Sequence, residues 1–296
     1  GSPIISVAWN PNSSFFLLAV CVGASLHLVD LDMGVQKTSS AAIRQLIATS
    51  KEAPGAASSP HAEWQNPTET FAEHGVVLTL RVKKHLKSMS WHFKGDYFVT
   101  LAPDANTTAV LVHQLSRQAT QSPFTKSKAH AVRVVFHPSK PFLFVGMQRA
   151  VLVYNLMKQT LTKKLIGGFK HLSSLAVHPT GDHVVIGSHD RRLSWFDMDL
   201  STKPYRTIRY HRYGLTSVAV HPRHPLFAGG GEDGHLFVLH GRVYADLLQN
   251  ATIVPVKKLR AHVLTEGDGI LDCVFHPTQP WIFTAGGDGA ARLWTE

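Results

Sequence analysis

The sequence predicts an all-β fold of the β-propeller type, and three regularities support that prediction. An apolar strand that ends in His-Pro recurs along the 296 residues. A hairpin of two further strand-like runs follows each copy, and a histidine stands shortly before most copies. Successive copies lie roughly 40 to 55 residues apart, except for a first gap of about 80, and repeats of this length that each hold several short strands are typical of four-stranded propeller blades.

The His-Pro strand defines six repeat units. Its full copies are VVFHP (134–138), LAVHP (175–179), VAVHP (218–222) and CVFHP (273–277). Two degenerate copies precede them, VAWNP (7–11) and MSWHF (89–93). Because proline stops a strand and fixes the following turn, we expect each copy to be an inner strand that ends in a tight turn.

Two strand-like runs follow each copy, with turn residues between them. In chain order the pairs are FFLLAV and SLHLVD, DYFVTLA and AVLVHQL, FLFVG and AVLVYNL, HVVIGS and RLSWFDM, LFAGGG and HLFVLHG, and WIFTAG and ARLWT. Candidates for a fourth, outer strand lie at 76–84, 122–128, 160–166, 205–210 and 254–260, of which 122–128 is the weakest. The sixth unit has no candidate before Glu296.

The last unit contains a set of residues that predicts how a blade is locked. Its first strand is preceded by His262, its second contains Thr284, its Gly-Asp-Gly turn contains Asp288, and its third strand contains Trp294. We expect the carboxylate to bind the imidazole, which in turn reaches the indole N–H through the threonine hydroxyl. This structural tetrad is the pattern of a WD-repeat blade, so the chain resembles the WD-repeat family.

The other units keep only parts of the tetrad, which indicates degenerate WD repeats. A histidine precedes the first strand in five of the six units, at His85, His130, His171, His211 and His262. The fourth unit keeps His171 and Asp190 with Phe196 at the tryptophan position, the fifth keeps His211 and Asp233 with Leu239 there, and the third has Tyr154 and no aspartate. Trp91, Trp195 and Trp294 are expected to pack within blades.

We expect a single domain over residues 1–296, with loops inserted at 32–75 and 242–253. In the larger insertion, SKEAPGAASSP predicts a mobile loop and SSAAIRQLIA a short helix. Gly1-Ser2 resembles the remnant of a cleaved tag and is set aside. Either six blades close with an imperfect clasp, or a first blade of a seven-bladed parent is missing, and we favour the second.

Composition narrows the class of protein. With 44% hydrophobic and 17% charged residues, the chain suits a globular rather than a disordered protein. No apolar run reaches the roughly 18 residues that a membrane span needs, so we expect no membrane association. Cys21 and Cys273 lie in apolar runs and are expected to be buried thiols of a protein from a reducing compartment.

No constellation of residues indicates an enzyme. The sequence has no Gly-rich phosphate loop, no HExxH, no Cys-x-x-Cys and no Gly-x-Ser-x-Gly motif. The histidines and the aspartates Asp182, Asp190, Asp233 and Asp288 are spread over the blades, so they would not meet within about 2 Å of one ion. We therefore expect no catalytic site, no metal and no cofactor.

The formal net charge of +10 favours polyanionic partners, nucleic acid first, unless it serves solubility alone. Tyr205, Tyr210 and Tyr213 are candidate stacking platforms for RNA bases. The same basic residues would also protect exposed edge strands from aggregation, and both interpretations stay open. The candidate RNA-binding residues, in or beside the outer strands, are Lys83, Lys84, Lys87, Lys126, Lys163, Lys164, Arg206, Arg209, Lys257, Lys258 and Arg260.

A second candidate surface is the face on which propellers usually bind proteins. It is formed by the loops before the first strand of each blade and between the second and third strands. Arginine and tyrosine are enriched in binding hot spots, and both occur in these loops. The candidate partner-binding residues are Lys128, Gln148, Arg149, His189, Arg191, Arg192, Arg212, Tyr213 and Glu232.

Longer runs of the sequence resemble one WD-repeat family in particular. They are HLKSMSWHFKGDYFVTL, VRVVFHPSKPFLFV, LIGGFKHLSSLAVHPTGDHVVIGSHDRRLSWFD, YHRYGLTSVAVHPRHPLFA and DGILDCVFHPTQPWIFTAGGDGAARLW. These runs look like the C-terminal, seven-bladed propeller of the block-of-proliferation family, whose members are eukaryotic assembly factors of the large ribosomal subunit.

The resemblance implies a non-enzymatic scaffold for pre-rRNA processing in the nucleolus and nucleoplasm. It implies three partners: a second WD-repeat protein, pre-ribosomal RNA, and a pescadillo-type protein bound through an N-terminal region outside this sequence. The alternative is a protein-only WD-repeat adaptor, such as a ubiquitin-ligase substrate receptor.

Overall fold

The computed structural model describes residues 2–12, 15–31, 60–124, 131–244, 249, 251–264 and 268–295. In these ranges the strands form six sheets, the arrangement of a β-propeller with six blades. The prediction of an all-β propeller with six units is therefore confirmed. The described residues also include one α-helix, α1 (Glu69–Glu73), and one 3₁₀-helix, Pro103–Thr108.

The strands of the described residues are numbered β1 to β24. They are β1 (Ile4–Trp9), β2 (Leu17–Val22), β3 (Ser25–Asp30), β4 (Ala62–Gln65), β5 (Val76–Val82), β6 (Ser88–Trp91), β7 (Tyr97–Leu101), β8 (Val110–Gln114), β9 (Ala119–Gln121), β10 (Ala131–Phe136), β11 (Phe142–Met147), β12 (Val151–Asn155), β13 (Thr160–Leu165), β14 (Leu172–Val177), β15 (His183–Ser188), β16 (Leu193–Asp197), β17 (Arg206–Ile208), β18 (Leu215–Val220), β19 (Leu226–Gly231), β20 (His235–Arg242), β21 (Thr252–Arg260), β22 (Ile270–Phe275), β23 (Ile282–Gly286) and β24 (Ala291–Trp294).

Most sheets follow the chain order. Strands β6–β9, β10–β13, β14–β17 and β18–β21 each form a four-stranded sheet, and β22–β24 form a three-stranded sheet within the described residues. The first sheet has the order β1-β2-β3-β5-β4. The outer strand predicted at 122–128 lies instead at β9, just before that stretch.

The chain divides into two compact units, and the division falls within the third sheet. The first unit comprises Gly1–His137, Pro141–Val145 and Tyr154–Thr160, and the second comprises Pro138–Lys140, Gly146–Val153 and Leu161–Glu296. In the first unit the core includes the fully buried Phe98, and in the second it includes Trp195 and Phe227, whose ring centroids are 5.0 Å apart.

The end of the long insertion has a structure that the sequence did not predict. Residues 32–59 lie outside the described part of the chain, and with them SSAAIRQLIA and almost all of SKEAPGAASSP. Strand β4 follows, pairs with β5 and adds a fifth strand to the first sheet. The stretch Ala62–Gln65 is too short for its alternation to be distinguished from that of a loop.

Strand β4 places Trp64 against the second sheet. Its indole N–H donates to Thr120 Oγ1 at 3.1 Å, and that hydroxyl lies 2.9 Å from Nδ1 of His113. On the other side of the ring, His113 Nε2 lies 2.8 Å from the hydroxyl of Thr100. This chain of polar groups joins three strands of the second sheet to the insertion. Burial lowers the pKa of His113 to about 3, so its imidazole is neutral at physiological pH.

The repeated His-Pro motif has a specific function in the turn that follows each inner strand. In His221, ring atom Nδ1 accepts the backbone N–H groups of Arg223 and His224, both at 2.9 Å. Nδ1 of His276 accepts two turn N–H groups in the same way, at 3.2 and 3.0 Å. Each imidazole therefore satisfies backbone donors that a tight turn leaves without a strand partner.

Other blades use the same turn with small variations. His178 accepts the N–H of Thr180 at 3.3 Å, and in the first blade the side-chain oxygen of Asn10 accepts the N–H of Asn12 at 2.9 Å. The VAWNP copy of the motif is thus equivalent to the His-Pro copies. An imidazole can serve as this acceptor only while Nδ1 carries no proton.

The turn histidines should make the fold sensitive to acid. Burial lowers the pKa of His178 from 6.5 to about 4, and the neighbouring His183 contributes in the same direction. Between these two pH values only the unfolded chain binds the proton, so stability is complete above about pH 6.5 and is lost as the pH falls towards 4. Because the ring is partly solvated, the loss should be below roughly 1.4 kcal/mol per pH unit.

Asparagine at position 178 should reduce this sensitivity, because it supplies an acceptor that does not titrate, as Asn10 does. We expect His178→Asn to lose less thermal stability than the parent between about pH 7.5 and about pH 5, measured by thermal unfolding at several pH values. His74→Asn, at an exposed histidine after α1, is the control and should follow the parent. Equal pH dependence of all three proteins would contradict the assignment.

Candidate interaction surface

The structure brings together the four residues of the tetrad in the last blade. His262 Nδ1–H donates to Asp288 at 2.8 Å, and its Nε2 lies 2.9 Å from Thr284 Oγ1. The same hydroxyl oxygen accepts the indole N–H of Trp294 at 3.0 Å. His262 and Thr284 are almost completely buried, so this network lies inside the blade.

Arg292 is a fifth member that the sequence did not indicate. Its guanidinium donates to Asp288 Oδ2 at 2.8 Å and to the carbonyl of Ala261 at 2.9 Å, and it also lies against the His262 ring. This arginine, followed by His262, holds the pKa of the Asp288 carboxyl well below its usual range. The carboxylate stays charged, and therefore an acceptor, at any physiological pH.

The fifth blade contains a shorter version of the network. His211 donates from Nδ1 to Asp233 at 3.2 Å, but Gly229 stands where the last blade has Thr284. No hydroxyl is therefore present to meet Nε2 of His211, which is buried without a partner among the described residues. Phe237 packs edge-on against this ring, with centroids 4.6 Å apart.

The fourth blade does not form the predicted pair. His171 is exposed, and its Nδ1 lies 3.1 Å from the side-chain amide of Gln148. Asp190 instead accepts the backbone N–H of Lys170 and pairs with Arg192 at 2.9 Å. The exposed His85 lies in the loop between β5 and β6, and His130 lies outside the described residues.

In the second unit, contacts between loops gather the predicted partner-binding residues on one surface. The backbone carbonyl of His171 accepts the N–H of His189 at 2.9 Å, and His189 Nδ1 lies 2.7 Å from Glu232. Glu232 also accepts the backbone N–H of Gly214 at 3.1 Å. These contacts join the loops that contain Gln148, Arg149, His189, Arg191, Arg192, Arg212, Tyr213 and Glu232, called the loop surface below. Lys128 lies outside the described residues.

The loop surface carries an excess of positive charge. Its carboxylates have partners, because Asp190 pairs with Arg192 and Glu232 with His189. In the described part of the chain, Arg149, Arg191 and Arg212 form no ion pair. Tyr213, which is 59% exposed, lies beside Arg212 in sequence. Free guanidinium groups next to an exposed aromatic ring are typical of binding hot spots.

The backbone of Arg191 is unusual. Its φ of 66° lies in the left-handed region, in a turn where the fifth and last blades have Gly234 (φ 70°) and Gly289 (φ 71°). Residues other than glycine lose roughly 1–2 kcal/mol in this conformation. The fourth blade thus retains a strained arginine at the position where its neighbours have glycine.

The candidate RNA-binding residues fall into two groups. Three of them make contacts within the fold. Lys163 donates to the carbonyl of Met198, and Arg206 donates to the carbonyl of Ile253 at 2.7 Å. The side-chain nitrogen of Lys258 lies 5.4 Å from the centroid of the Phe237 ring. The exposed remainder comprises Lys164, Arg209, Lys257 and Arg260 in the second unit and Lys83, Lys84 and Lys87 in the first. Lys126 lies outside the described residues.

The candidate tyrosines are also exposed. Tyr205 and Tyr210 expose 40% and 42% of their surface, although Tyr210 stacks on Phe237 with centroids 5.6 Å apart. Lys83, Lys84, Lys87 and Arg209 lie in loops that lead from an outer strand to the next inner strand. Loops of this kind also contribute Arg212 and Tyr213 to the loop surface.

The described residues contain no cluster of three His, Cys, Asp or Glu side chains that could hold a metal ion. In the same part of the chain, no helix has the length and apolar character that crossing a membrane requires.

Cys21 and Cys273 are buried free thiols, and burial raises the pKa of each to about 12. Neither thiol is therefore available as a thiolate.

Comparison with known proteins identifies repeats and relatives. The model of the WD domain, G-beta repeat matches residues 160–197, 202–238 and 253–295. The chain is 45% identical over 290 residues to ribosome biogenesis protein bop1-A of Xenopus laevis, covering 98% of the chain and 40% of the relative. It is 46% identical over 295 residues to ribosome biogenesis protein BOP1 of Homo sapiens, covering 100% of the chain and 39% of the relative.

A green-alga relative gives the same result. The BOP1 homologue of Chlamydomonas reinhardtii is 47% identical over 294 residues, which cover 99% of the chain and 36% of the relative. The chain thus spans about two fifths of the length of these curated relatives. The resemblance stated from the sequence runs is confirmed.

Replacing Thr284 by valine tests the tetrad. The change keeps the shape but removes the hydroxyl, so the Trp294 N–H and His262 Nε2 lose their partner inside the blade. We expect Thr284→Val to lower the free energy of unfolding by about 1–3 kcal/mol, measured by urea denaturation. Thr162→Val, at an exposed position of β13, should change it by less than about 0.5 kcal/mol. Equal effects of the two variants would show that the hydroxyl does not lock the blade.

Proposed function

We propose that this WD40-repeat chain, similar along nearly its whole length to Bop1 ribosome biogenesis proteins, acts as a non-enzymatic scaffold in assembly of the large ribosomal subunit and in pre-rRNA processing. The names of the relatives support a function in ribosome biogenesis. Their site of action would then be the nucleolus and nucleoplasm. A pescadillo-type protein would bind the longer protein through a region that this sequence does not include.

The loop surface is proposed as the docking site for a second WD-repeat protein. The observation that supports this most strongly is Arg191, whose side chain is retained at the cost of backbone strain and is free of ion pairs in the described residues. Strain of this kind is typically retained where a side chain serves binding. Arg212 and Tyr213 would extend the contact on the same surface.

RNA contact is proposed for the exposed cations that do not hold the fold. Lys257 and Arg260 on β21, with Lys164 on β13, are solvent-exposed and available to phosphate groups. The aromatic rings of Tyr205 and Tyr213, which flank the exposed Arg209 in the sequence, would provide stacking platforms. Contacts to phosphates supply affinity without sequence specificity, which suits a scaffold on a long rRNA precursor.

Arg191→Gly should separate stability from docking. Glycine removes the strain of the left-handed turn, so we expect the free energy of unfolding to rise by about 0.5–1 kcal/mol. Loss of the guanidinium should at the same time weaken the complex with the WD-repeat partner at least tenfold, measured by titration calorimetry of the full-length proteins.

Gln118→Gly is the matched control for this experiment. Gln118 also has a left-handed backbone, with φ of 48°, but lies outside the loop surface. The control should be stabilised similarly and should bind the partner normally. Undiminished binding by Arg191→Gly would contradict the docking assignment.

RNA binding should depend steeply on salt. For a single-stranded RNA oligonucleotide, the logarithm of the affinity falls by roughly 0.7 for each phosphate contact per decade of salt. We expect Lys257→Glu with Arg260→Glu to weaken binding and to reduce the slope by about 1.4, the value for two contacts. Lys158→Glu with Lys203→Glu changes the charge equally at exposed sites and should keep the slope.

Two outcomes would contradict RNA contact through these residues. An unchanged slope in the first double variant would exclude Lys257 and Arg260 as phosphate contacts. Undetectable RNA binding at low salt would favour the protein-only adaptor, in which the positive charge serves solubility.

A further inference from the structure

The first unit contains a groove that neither the loop surface nor the basic residues explain. It encloses about 410 Å³ between the second and third sheets, at the end that carries the β6–β7 and β10–β11 turns. A cavity of this size is within the usual range of ligand pockets and can hold one large side chain with its adjoining backbone. Its walls include Tyr97, Val112, Phe124, Phe136, Tyr154 and Leu156.

The aromatic rings in this groove pack against one another. Phe124 and Tyr154 have centroids 4.3 Å apart at an interplanar angle of 49°, and His92 meets Phe136 edge-on at 5.2 Å. The rings therefore form a continuous apolar wall. Neither of these two ring pairs of the described residues has parallel faces that would hold a flat base, so the groove suits a bulky side chain better than a nucleobase.

Among the described residues, the rim of the groove has one cation and an exposed apolar residue. Lys94 is the only Lys, Arg, Asp or Glu among the lining residues in that part of the chain, and it forms no ion pair there. Met157 lines the groove and is 80% exposed, which is unusual for an apolar side chain without a partner. Flexible methionine side chains are frequent at surfaces that adapt to peptides.

We propose that this groove binds a short acidic peptide segment of a partner protein. One aromatic or branched aliphatic side chain of the peptide fills the cavity against Phe136 and Tyr154, and Met157 covers it. A carboxylate one or two residues away pairs with Lys94. The net charge of +10 favours approach of an acidic segment, and the apolar anchor supplies most of the affinity.

A displayed library of random heptapeptides, selected on the full chain, tests this proposal. The enriched peptides should share a large apolar residue with Asp or Glu within two positions. An enriched peptide, labelled and measured by fluorescence anisotropy, should bind at least tenfold more weakly to Lys94→Glu and to Met157→Glu. Lys158→Glu is the matched control, because this exposed neighbour does not line the groove, and it should bind within about twofold of the parent.

Several outcomes would overturn the proposal. These are no enrichment of peptides, enriched peptides without acidic residues, or binding that does not respond to Lys94→Glu. Loss of affinity for single-stranded RNA in Lys94→Glu, without any peptide selected, would assign the groove to a nucleobase instead. The loop surface and its docking test involve other residues, so the two assignments stand or fall separately.

Discussion

The structure depends on how side chains satisfy the backbone donors of its tight turns. A sheet of four short strands needs a turn at every strand end, and a turn leaves N–H groups without a strand partner. Here side chains supply the acceptors, namely imidazole Nδ1 in His221 and His276, an amide oxygen in Asn10, and carboxylates in Asp233 and Asp288. The repeat recognisable in the sequence is therefore the repeat of these acceptors, and the strands follow from it.

The same constraint determines which charges are available for binding. The carboxylates of Asp190, Asp233 and Asp288 already bind turn N–H groups, histidines or arginines within their own blades. With its acidic groups used in this way, a basic chain presents mainly cations in its loops, Arg191 and Arg212 among them. The positive charge of the loop surface thus follows from the way in which the turns are held, together with the net charge.

The sequence predicted the contacts that belong to a local motif, but not the contacts between residues that are distant in the chain. His262 and Asp288 were predictable, since their spacing in the repeat implies contact, whereas Arg292 joins them through a side-chain position that no pattern marks. Trp64 could not be anticipated, because four residues of β4 give no periodicity and its partner Thr120 is 56 residues away. The hydrogen bond from Arg206 to a carbonyl of the next blade could not be predicted either, because its two partners are far apart in the sequence. The apolar groove could not be predicted because its lining residues come from distant parts of the chain.

The protonation of the turn histidines tests this account most directly. If Nδ1 accepts the turn N–H groups, the rings of His178, His221 and His276 must carry their proton on Nε2 at neutral pH. For His221 the 2.8 Å contact from Nε2 to the carbonyl of Gln279 requires the same tautomer. Long-range ¹H–¹⁵N correlation spectra of the ¹⁵N-labelled protein report the tautomer of each ring. The account predicts a protonated Nε2 and a bare Nδ1 in all three, and protonation at Nδ1 would contradict it.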